Sequence, residues 1–367
     1  MASAPDSDSP GRNTVQTQTP PSVSSLNPDL ERHATPTRTH ARSAEDIVAG
    51  ICAGDRVVLS QAITLIESAK SDHRAKAREV VNGCLSDAGD SVRVGVTGVP
   101  GVGKSTFIEA IGTQLVDDGH HLAVLAIDPS STRTKGSILG DKTRMGRLAS
   151  MDDVFIRPSP TGGSLGGVAR TTRETILLVE AAGYDTILVE TVGVGQSETT
   201  VHSMVDVFLL LALAGAGDEL QGIKRGIIEM ADVIAINKAD GPNREAAETA
   251  RQEYENALRL FPPPESGWQP PVHTCSAETG EGIDAVWSAI NAYVDDATER
   301  GHFEATRTRQ ARYWMHQTIE QRLTDDFFAD EQVQAALDDV EARVVDGTLS
   351  SFAAADALLD LYRSGAA

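Results

Sequence analysis

The sequence has few aromatic residues and few cysteines. Phenylalanine, tryptophan and tyrosine make up 4% of the 367 residues, so a buried core must consist mainly of aliphatic side chains. The three cysteines, Cys52, Cys84 and Cys275, are scattered and show no Cys-x-x-Cys spacing. An odd number of cysteines in a chain of this size argues against a disulfide framework and predicts a reducing compartment. We therefore expect a cytoplasmic protein.

The sequence also lacks a long apolar run. The longest, Val207 to Ala214, falls well short of the ~20 residues that a membrane-spanning helix needs. The N-terminus has no basic stretch followed by an apolar one, so we predict no secretory signal peptide. These features predict a protein that does not act at a membrane.

Basic residues are few relative to acidic ones. The chain has 32 Lys+Arg against 53 Asp+Glu, which gives a formal net charge of −21 at pH 7. Such a surface repels phosphate backbones and anionic lipids, so nucleic acids and membrane surfaces are not expected partners. Only seven of the basic residues are lysines. An acid excess with few lysines indicates a salt-adapted, halophilic protein; the alternative is a GC-rich genome that favours arginine codons.

Composition divides the chain into four segments. Residues 1–42 are rich in Ser, Thr and Pro without Phe, Trp or Tyr, which predicts a disordered tail. Residues 43–90 have apolar residues at helical spacing and predict an N-terminal helical segment. Residues 91–298 alternate apolar strands with helices and predict an α/β domain. Residues 299–367 contain three charged helical stretches.

Two helical details are predicted at the ends of the ordered chain. Ser43 and Asp46 have the spacing of a capping box, with a helix after them and a second near Arg74 to Leu85. In the C-terminal segment we expect one apolar stripe, formed by Tyr313, Trp314, Ile319 and Leu323.

The strands of the central segment are short and almost wholly apolar. We predict five: Val92–Thr97, Leu122–Ile127, Thr186–Val189, Val207–Ala212 and Val233–Ile236. Buried strands that alternate with helices favour a parallel sheet covered on both faces. The predicted fold class is therefore α/β, with a mainly parallel, doubly wound sheet and helical N-terminal and C-terminal extensions.

The strongest motif is a glycine-rich loop, Gly98-Val-Pro-Gly-Val-Gly-Lys-Ser-Thr106, between the first strand and a helix predicted from Phe107. This is the context that a phosphate-binding loop requires, because glycines let backbone N–H groups wrap the phosphates and the helix N-terminus adds positive potential. Lys104 is expected to reach the β and γ phosphates, and the Ser105 hydroxyl to bind Mg²⁺. The predicted nucleotide contacts are Gly98, Val99, Pro100, Gly101, Val102, Gly103, Lys104, Ser105 and Thr106.

A second motif, Asn237-Lys-Ala-Asp240, selects the base. The Asp240 carboxylate can accept both N–H donors on the guanine edge, and adenine lacks the matching exocyclic amine. Cys275-Ser-Ala-Glu278 follows where a second base-contacting loop is expected. The sequence thus predicts GTP rather than ATP, with contacts from Asn237, Lys238, Asp240, Ser276, Ala277 and Glu278.

A third motif, Glu190-Thr-Val-Gly193, follows the strand that ends at Val189. Many GTPases carry Asp-x-x-Gly here, and the glycine N–H senses the γ-phosphate. Glu190 replaces the aspartate and can hold Mg²⁺ through water. The residue after Gly193 is Val194, so a water-orienting glutamine is missing and slow intrinsic hydrolysis is predicted.

Three further charged residues are candidates for a role in the nucleotide site. Asp128 ends a strand, where carboxylates face the ligand crevice of a doubly wound sheet, and Asp141 lies in a polar stretch. One or both can serve the Mg²⁺ shell or the attacking water; the alternatives are a helix cap for Asp128 and a solvated loop charge for Asp141. Lys224 stands out in a lysine-poor chain, with a salt bridge at a helix start as its alternative role.

Six motifs occur in one order along the chain: Gly98–Thr106, Asp128–Ser131, Leu139–Met145, Glu190–Glu198, Gly217–Gly226 and Asn237–Asp240. Together they resemble the methylmalonyl-CoA mutase-associated GTPases, the MeaB/ArgK family of P-loop GTPases. The resemblance implies a P-loop GTPase domain over residues 91–298. It also implies a homodimer whose C-terminal helices, 299–367, form the dimerisation arm. It implies an adenosylcobalamin-dependent methylmalonyl-CoA mutase as partner, whose cofactor loading the GTPase gates and which it protects from inactivation.

The same resemblance implies roles for individual residues. Asp128, Asp141 and Glu190 correspond to acidic residues around Mg²⁺ and the water, and Lys224 falls in a partner-responsive switch. The implied catalytic set is Lys104, Asp128, Asp141, Glu190 and Lys224. The implied metal set is Ser105, Asp128, Asp141 and Glu190. The expected ligands are GTP or GDP and Mg²⁺.

Two other functions stay open at this point. A nickel-delivery GTPase for hydrogenase or urease has the same fold class, but it needs thiolate or imidazole ligands, and the three cysteines are isolated. A kinase acting on a transport protein is the second. Its phosphoryl-acceptor site is not readable in the sequence, and the base motif favours GTP over ATP.

Overall fold

In the computed structural model of the protein, the chain from Ser43 onwards forms one compact unit. The described residues are 42–68, 70–127, 145–158, 165–191, 197–215, 225–262, 264 and 266–365. Within these ranges no helix is both long enough and apolar enough to cross a membrane.

Seven parallel strands of the described residues form the central sheet. They are β1 (Val92–Gly98), β2 (Leu122–Ile127), β3 (Val154–Arg157), β4 (Thr186–Thr191), β5 (Val207–Leu213), β6 (Val233–Asn237) and β7 (Val272–Thr274). Their order across the sheet is β3-β2-β4-β1-β5-β6-β7, and every neighbouring pair is parallel. The five predicted strands are all present. The prediction missed β3 and β7, which are edge strands of four and three residues.

Helices flank the sheet on both faces. Those in the described residues are α1 (Ala44–Cys52), α2 (Arg56–Ile66), α3 (Ser71–Gly83), α4 (Lys104–Asp117), α5 (Leu165–Ala181), α6 (Ser197–His202), α7 (Arg225–Met230), α8 (Arg244–Leu258), α9 (Ile283–Glu299), α10 (His302–Ala329), α11 (Glu331–Val345) and α12 (Ser351–Gly365). The predicted fold class, α/β with a parallel, doubly wound sheet and helical extensions, is confirmed.

Two capping residues set the N-terminal helices. The Ser43 hydroxyl accepts the Asp46 N–H at 3.0 Å, and the Asp46 carboxylate accepts the Ser43 N–H at 3.1 Å, which is the predicted capping box. Two helices lie where one was predicted between the capping box and Arg74, because a second cap intervenes. Asp55 accepts the N–H groups of Val57 and Val58 and so begins α2.

Each face of the sheet has its own core. On one face α4 and α9 bury Phe107 and Ile290 against strand residues such as Val94 and Leu209. On the other face α5 and α8 pack over the sheet, with Tyr254 fully buried, and α1, α2 and α3 pack against α5. Each fully buried aliphatic side chain contributes about 1.5–3 kcal/mol relative to exposure. Helices therefore cover both faces of the sheet, and a ligand can reach it only at the ends of the strands.

The C-terminal helices form a third core of their own, made of Val333, Val340, Ala354, Leu358 and partly buried neighbours. The start of α10 packs on the sheet domain, and its end joins this small core. The predicted single apolar stripe on α10 is wrong. Trp314 is only 7% exposed and faces the domain, whereas Tyr313, Ile319 and Leu323 are about half exposed, at 47%, 48% and 59%.

Candidate functional site

The predicted phosphate loop lies at the carboxyl edge of the sheet, where the strand order changes direction. Its strand, β1, lies between β4 and β5, which follow each other in the chain but lie on opposite sides of β1. Ligands of doubly wound sheets bind at such a point. The loop leads directly into α4, which begins at Lys104 rather than at the predicted Phe107.

At two of its glycines the loop has no room for a side chain. Gly98 and Gly103 have φ angles of 152° and 95°, in the region that favours glycine. A Cβ on Gly98 would lie 2.4 Å from the Leu211 carbonyl oxygen, and one on Gly103 would lie 2.9 Å from Asn237 Nδ2. Glycine is therefore required here by both conformation and space.

Lys104 is buried at the floor of the loop, with 8% of its surface exposed. Its Nζ donates to the carbonyl oxygens of Gly98 at 2.8 Å and Val99 at 3.4 Å. Burial lowers the pKa of Lys104, and the nearby carboxylates of Glu190 and Glu198 oppose that shift. Phosphate oxygens are stronger acceptors than backbone carbonyls, so the ammonium is placed to exchange these bonds for a nucleotide.

Ser105 and Glu190 meet beside the loop. The Ser105 hydroxyl donates to Glu190 Oε1 at 3.0 Å. Glu190 lies near the end of β4 and is 6% exposed. A hydroxyl and a carboxylate are oxygen ligands of the kind that Mg²⁺ prefers, bound directly or through water. These two residues fit the predicted ion.

The predicted base motif ties three loops together through Asn237. Its Nδ2 donates to the Val102 carbonyl at 2.8 Å, and its Oδ1 accepts the Ala277 N–H at 3.0 Å. Lys238 has a positive φ of 60°, uncommon for a residue with a side chain, and its Nζ donates to the Gly101 carbonyl at 2.8 Å. The base motif and the phosphate loop are thus held in one arrangement.

Asp240 is set by the second base loop. The Ser276 hydroxyl donates to Asp240 Oδ2 at 2.6 Å. That contact orients the carboxylate and leaves the other oxygen, Oδ1, for a ligand. Glu278, the last residue of the predicted base loop, is exposed.

One residue of the site was missed by the sequence reasoning. Glu198 lies in the first turn of α6, is 3% exposed, and acts electrostatically on Lys104. The sequence carried a weak signal for it, an acidic residue opening a helix soon after Glu190. Burial next to the lysine could not be read from the sequence.

Several predicted residues lie outside the described ranges. They are Asp128, Asp141, Gly193, Val194 and Lys224. The structure brings together the phosphate loop, Glu190 and the base motif. The roles predicted for the five residues outside the described ranges stay predictions.

A phosphate loop at the carboxyl edge of a parallel sheet, joined to the predicted base motif by Asn237 and Lys238, is the arrangement of a P-loop nucleotide-binding protein. The comparison with known families narrows this class. The model of the family described as "Methylmalonyl Co-A mutase-associated GTPase MeaB" matches residues 59–332. The chain belongs to this family of GTPases, and the predicted resemblance is confirmed.

Relatives agree with that assignment. "GTPase ArgK" of Escherichia coli is 46% identical over 81% of this chain and 90% of its own length. "Methylmalonic aciduria type A homolog, mitochondrial" of Mus musculus is 43% identical over 88% of this chain and 80% of its own length. A crystal structure of a "LAO/AO transport system kinase" is 38% identical with a TM-score of 0.68, covering 87% of this chain and 97% of that one.

Proposed function

We propose that this chain is a GTP-hydrolysing chaperone for an adenosylcobalamin-dependent methylmalonyl-CoA mutase. In this role it gates the loading of the cobalamin cofactor and protects the mutase from inactivation. The observation that carries the proposal is the match to a family named for association with that mutase. The contact of Lys104 with the phosphate loop and that of Ser276 with Asp240 support the predicted nucleotide site. The relative from Mus musculus, named for methylmalonic aciduria, supports the same partner.

The proposed reaction converts GTP and water to GDP and phosphate. Water attacks the γ-phosphorus while the bond to the oxygen bridging the β and γ phosphates breaks, and the freed electron pair stays on GDP. Lys104 stabilises the charge on the β and γ oxygens, and the loop N–H groups hold the phosphates. Bound Mg²⁺ would neutralise further charge on these oxygens, with Ser105, Glu190, Asp128 and Asp141 as its proposed ligands.

The proposed enzyme is slow alone and faster with its partner. Val194 stands where a water-orienting glutamine is otherwise found. We propose that Lys224 supplies the missing function when the mutase is bound.

A homodimer is also part of the proposal, and the described part of α10 supports it. Met315, Ile319 and Leu323 recur every four residues, and each is about half exposed, at 53%, 48% and 59%. Such a stripe on one side of a long helix fits burial against a second copy. Ile319→Glu combined with Leu323→Glu is expected to give monomers in light scattering; a dimer that persists would contradict the arm.

The first experiment is GTP turnover in high KCl, alone and with the mutase from the same source. We expect slow turnover that rises about tenfold or more on adding the mutase. Lys224→Ala should lose that rise, and Lys70→Ala, at an exposed position before α3, is the matched control. Turnover indifferent to the mutase would remove this partner from the proposal and leave the GTPase assignment in place.

A second candidate is a kinase acting on a transport protein, favoured only by the name of the similar crystal structure. Labelled GTP or ATP incubated with a candidate binding protein would show phosphoryl transfer if this reading is right. A bound-metal assay on the purified protein tests the nickel-delivery alternative in the same preparation.

A further inference from the structure

The short helix α6 lies between the nucleotide site and the C-terminal helix α10. It begins directly after residues 192–196 and contacts β4 and β1, the strands that carry Glu190 and the phosphate loop. Its first turn holds Glu198, which is buried and acts electrostatically on Lys104. A helix of this length spans only ~9 Å, so a shift at one end moves the other.

The far end of α6 is held by α10. Trp314 Nε1 donates to the Ser203 carbonyl oxygen at 2.9 Å. Gln310 Nε2 donates to the Val205 carbonyl oxygen at 2.7 Å and to that of His202 at 3.4 Å. The acceptors are backbone oxygens of the segment joining α6 to β5. The contacts therefore fix the path of the backbone rather than one side chain.

The same side of α10 is anchored to the base of the sheet. One turn before Gln310, Arg307 donates to both carboxylate oxygens of Asp206 at 2.8 and 2.7 Å, and to the carbonyl of Ser91 at 2.6 Å. Asp206 also accepts the N–H of Arg93 in β1 at 2.9 Å. Helix α10, which holds α6, is therefore bound to the N-terminal end of β1, and the phosphate loop follows the C-terminal end of the same strand.

Packing alone does not explain a buried glutamine at position 310. The residue is 6% exposed, and its Oε1 is buried without a hydrogen-bond partner in the described structure. An orphaned buried oxygen is unfavourable, and Leu or Met would fill the space without it. What glutamine adds is the Nε2 donor to the two carbonyls.

We propose that Gln310 and Trp314 are positioning residues for GTP hydrolysis. Through the backbone of residues 202–205 they set the place of α6, and with it the buried Glu198 that acts electrostatically on Lys104. The inference rests on the proposed GTPase activity. GDP has no γ-phosphate, so we expect its binding to depend much less on these two residues than hydrolysis does.

The test uses Gln310→Met and Trp314→Phe in the full chain, since each keeps the bulk and removes the N–H donor. We expect kcat to fall about tenfold in each, with less than about threefold change in the KM for GTP and in the affinity for GDP. Because both residues act on one backbone segment, the double variant should lose little more than the worse single variant. The matched controls are Gln252→Met on α8 and Trp287→Phe on α9, with all three quantities within about twofold of wild type.

If Gln310 and Trp314 only stabilise the fold, their variants should contain less folded protein but keep the kcat of the controls per folded molecule. Each variant is assayed well below its own unfolding temperature, with GDP binding as the measure of folded protein. A kcat equal to that of the controls overturns the inference while the GTPase assignment stands. A wild-type protein that neither binds nor hydrolyses GTP overturns the proposed function and this inference with it.

A second measurement, hydrogen exchange, uses the wild-type protein alone and so does not depend on the folding of a variant. Hydrogen exchange on the wild type is compared with GDP and with a non-hydrolysable GTP analogue. Amides of residues 197–206 and of 310–318 should change protection together. A change in the first set without the second contradicts the inference.

Discussion

Arg307 and Asp206 form a two-pronged ion pair at the base of the sheet. The Arg307 Nε and Nη2 atoms donate to Asp206 Oδ1 and Oδ2 at 2.8 and 2.7 Å, and the side chains are 15% and 1% exposed. Both hydrogen bonds are charge-assisted, and a two-point contact of this kind helps a buried pair to offset its loss of hydration. The pair joins α10 to the N-terminal ends of β1 and β5. It thereby joins the C-terminal helices to the sheet.

Arg307→Met should lower the free energy of unfolding by about 3–5 kcal/mol, because Asp206 is left buried without its partner. Urea unfolding measures the change. Arg300→Met is the matched control, since the pair of Arg300 with Asp296 is half exposed and should be worth less than about 1 kcal/mol. Equal losses in the two variants would mean that burial adds nothing to the Arg307 pair.

Asp232 predicts a pH dependence of stability. Burial raises its pKa to about 7, although the Phe208 N–H at 2.8 Å and the Tyr293 hydroxyl favour the charged form. The folded state keeps a proton that the unfolded state releases above about pH 4, so wild-type stability falls as pH rises towards 7. Asp232→Asn does not titrate, and from pH 5 to 7 its stability relative to wild type should rise by about 2 kcal/mol. Above pH 7 the difference should level off; a difference that is flat across urea unfolding at pH 5, 6, 7 and 8 would refute the assignment.

Asp240→Asn should change which base is bound. The variant loses a charged acceptor for the guanine N–H groups, which predicts about a 100-fold weaker affinity for GTP. Its amide can donate to the 2-oxo group of xanthine, so affinity for xanthosine triphosphate should rise. Ser276 can still donate to the asparagine oxygen, which preserves the local structure. Asp284→Asn, at the exposed first turn of α9, is the control, and titration with fluorescent nucleotides measures both affinities.

The net charge of −21 predicts a response to salt. Ordinary repulsion between surface charges is mostly screened by a few hundred millimolar salt, because the Debye length is then below about 10 Å. A salt-adapted protein should continue to gain thermal stability between about 1 and 3 M KCl. Melting curves across that range decide the matter. A plateau below 1 M favours arginine codon usage as the source of the lysine scarcity.

The sequence was sufficient where the signal is local. The long strands are continuous apolar runs, and the phosphate loop combines glycines, Lys104 and Ser105 within a few residues. The strands β3 and β7 were missed because three or four residues carry too little pattern and depend on pairing with β2 and β6. Local patterns thus predicted the fold class and the nucleotide site, but not the edges of the sheet.

Residues whose partners are distant in the chain were not predictable. Trp314 was placed in an apolar stripe, but its Nε1 donates to a carbonyl 111 positions earlier. Asn237 was assigned to the base, but its amide also joins Val102 to Ala277, which no spacing rule indicates. Glu198 became a site residue only through its burial beside Lys104.

The strand order also sets the time at which the nucleotide site can form during synthesis. Of the seven strands described, the central strand β1 leaves the ribosome first. Its pairing partners come much later, because Val92 pairs with Thr186 in β4 and Val94 with Val207 in β5. At ~5–20 residues per second, roughly 5–20 seconds separate β1 from β4. Over that interval the loop after β1 has neither of its flanking strands, and the base loop at Ser276 is still later. A newly made chain can therefore capture its nucleotide only when most of it has been translated.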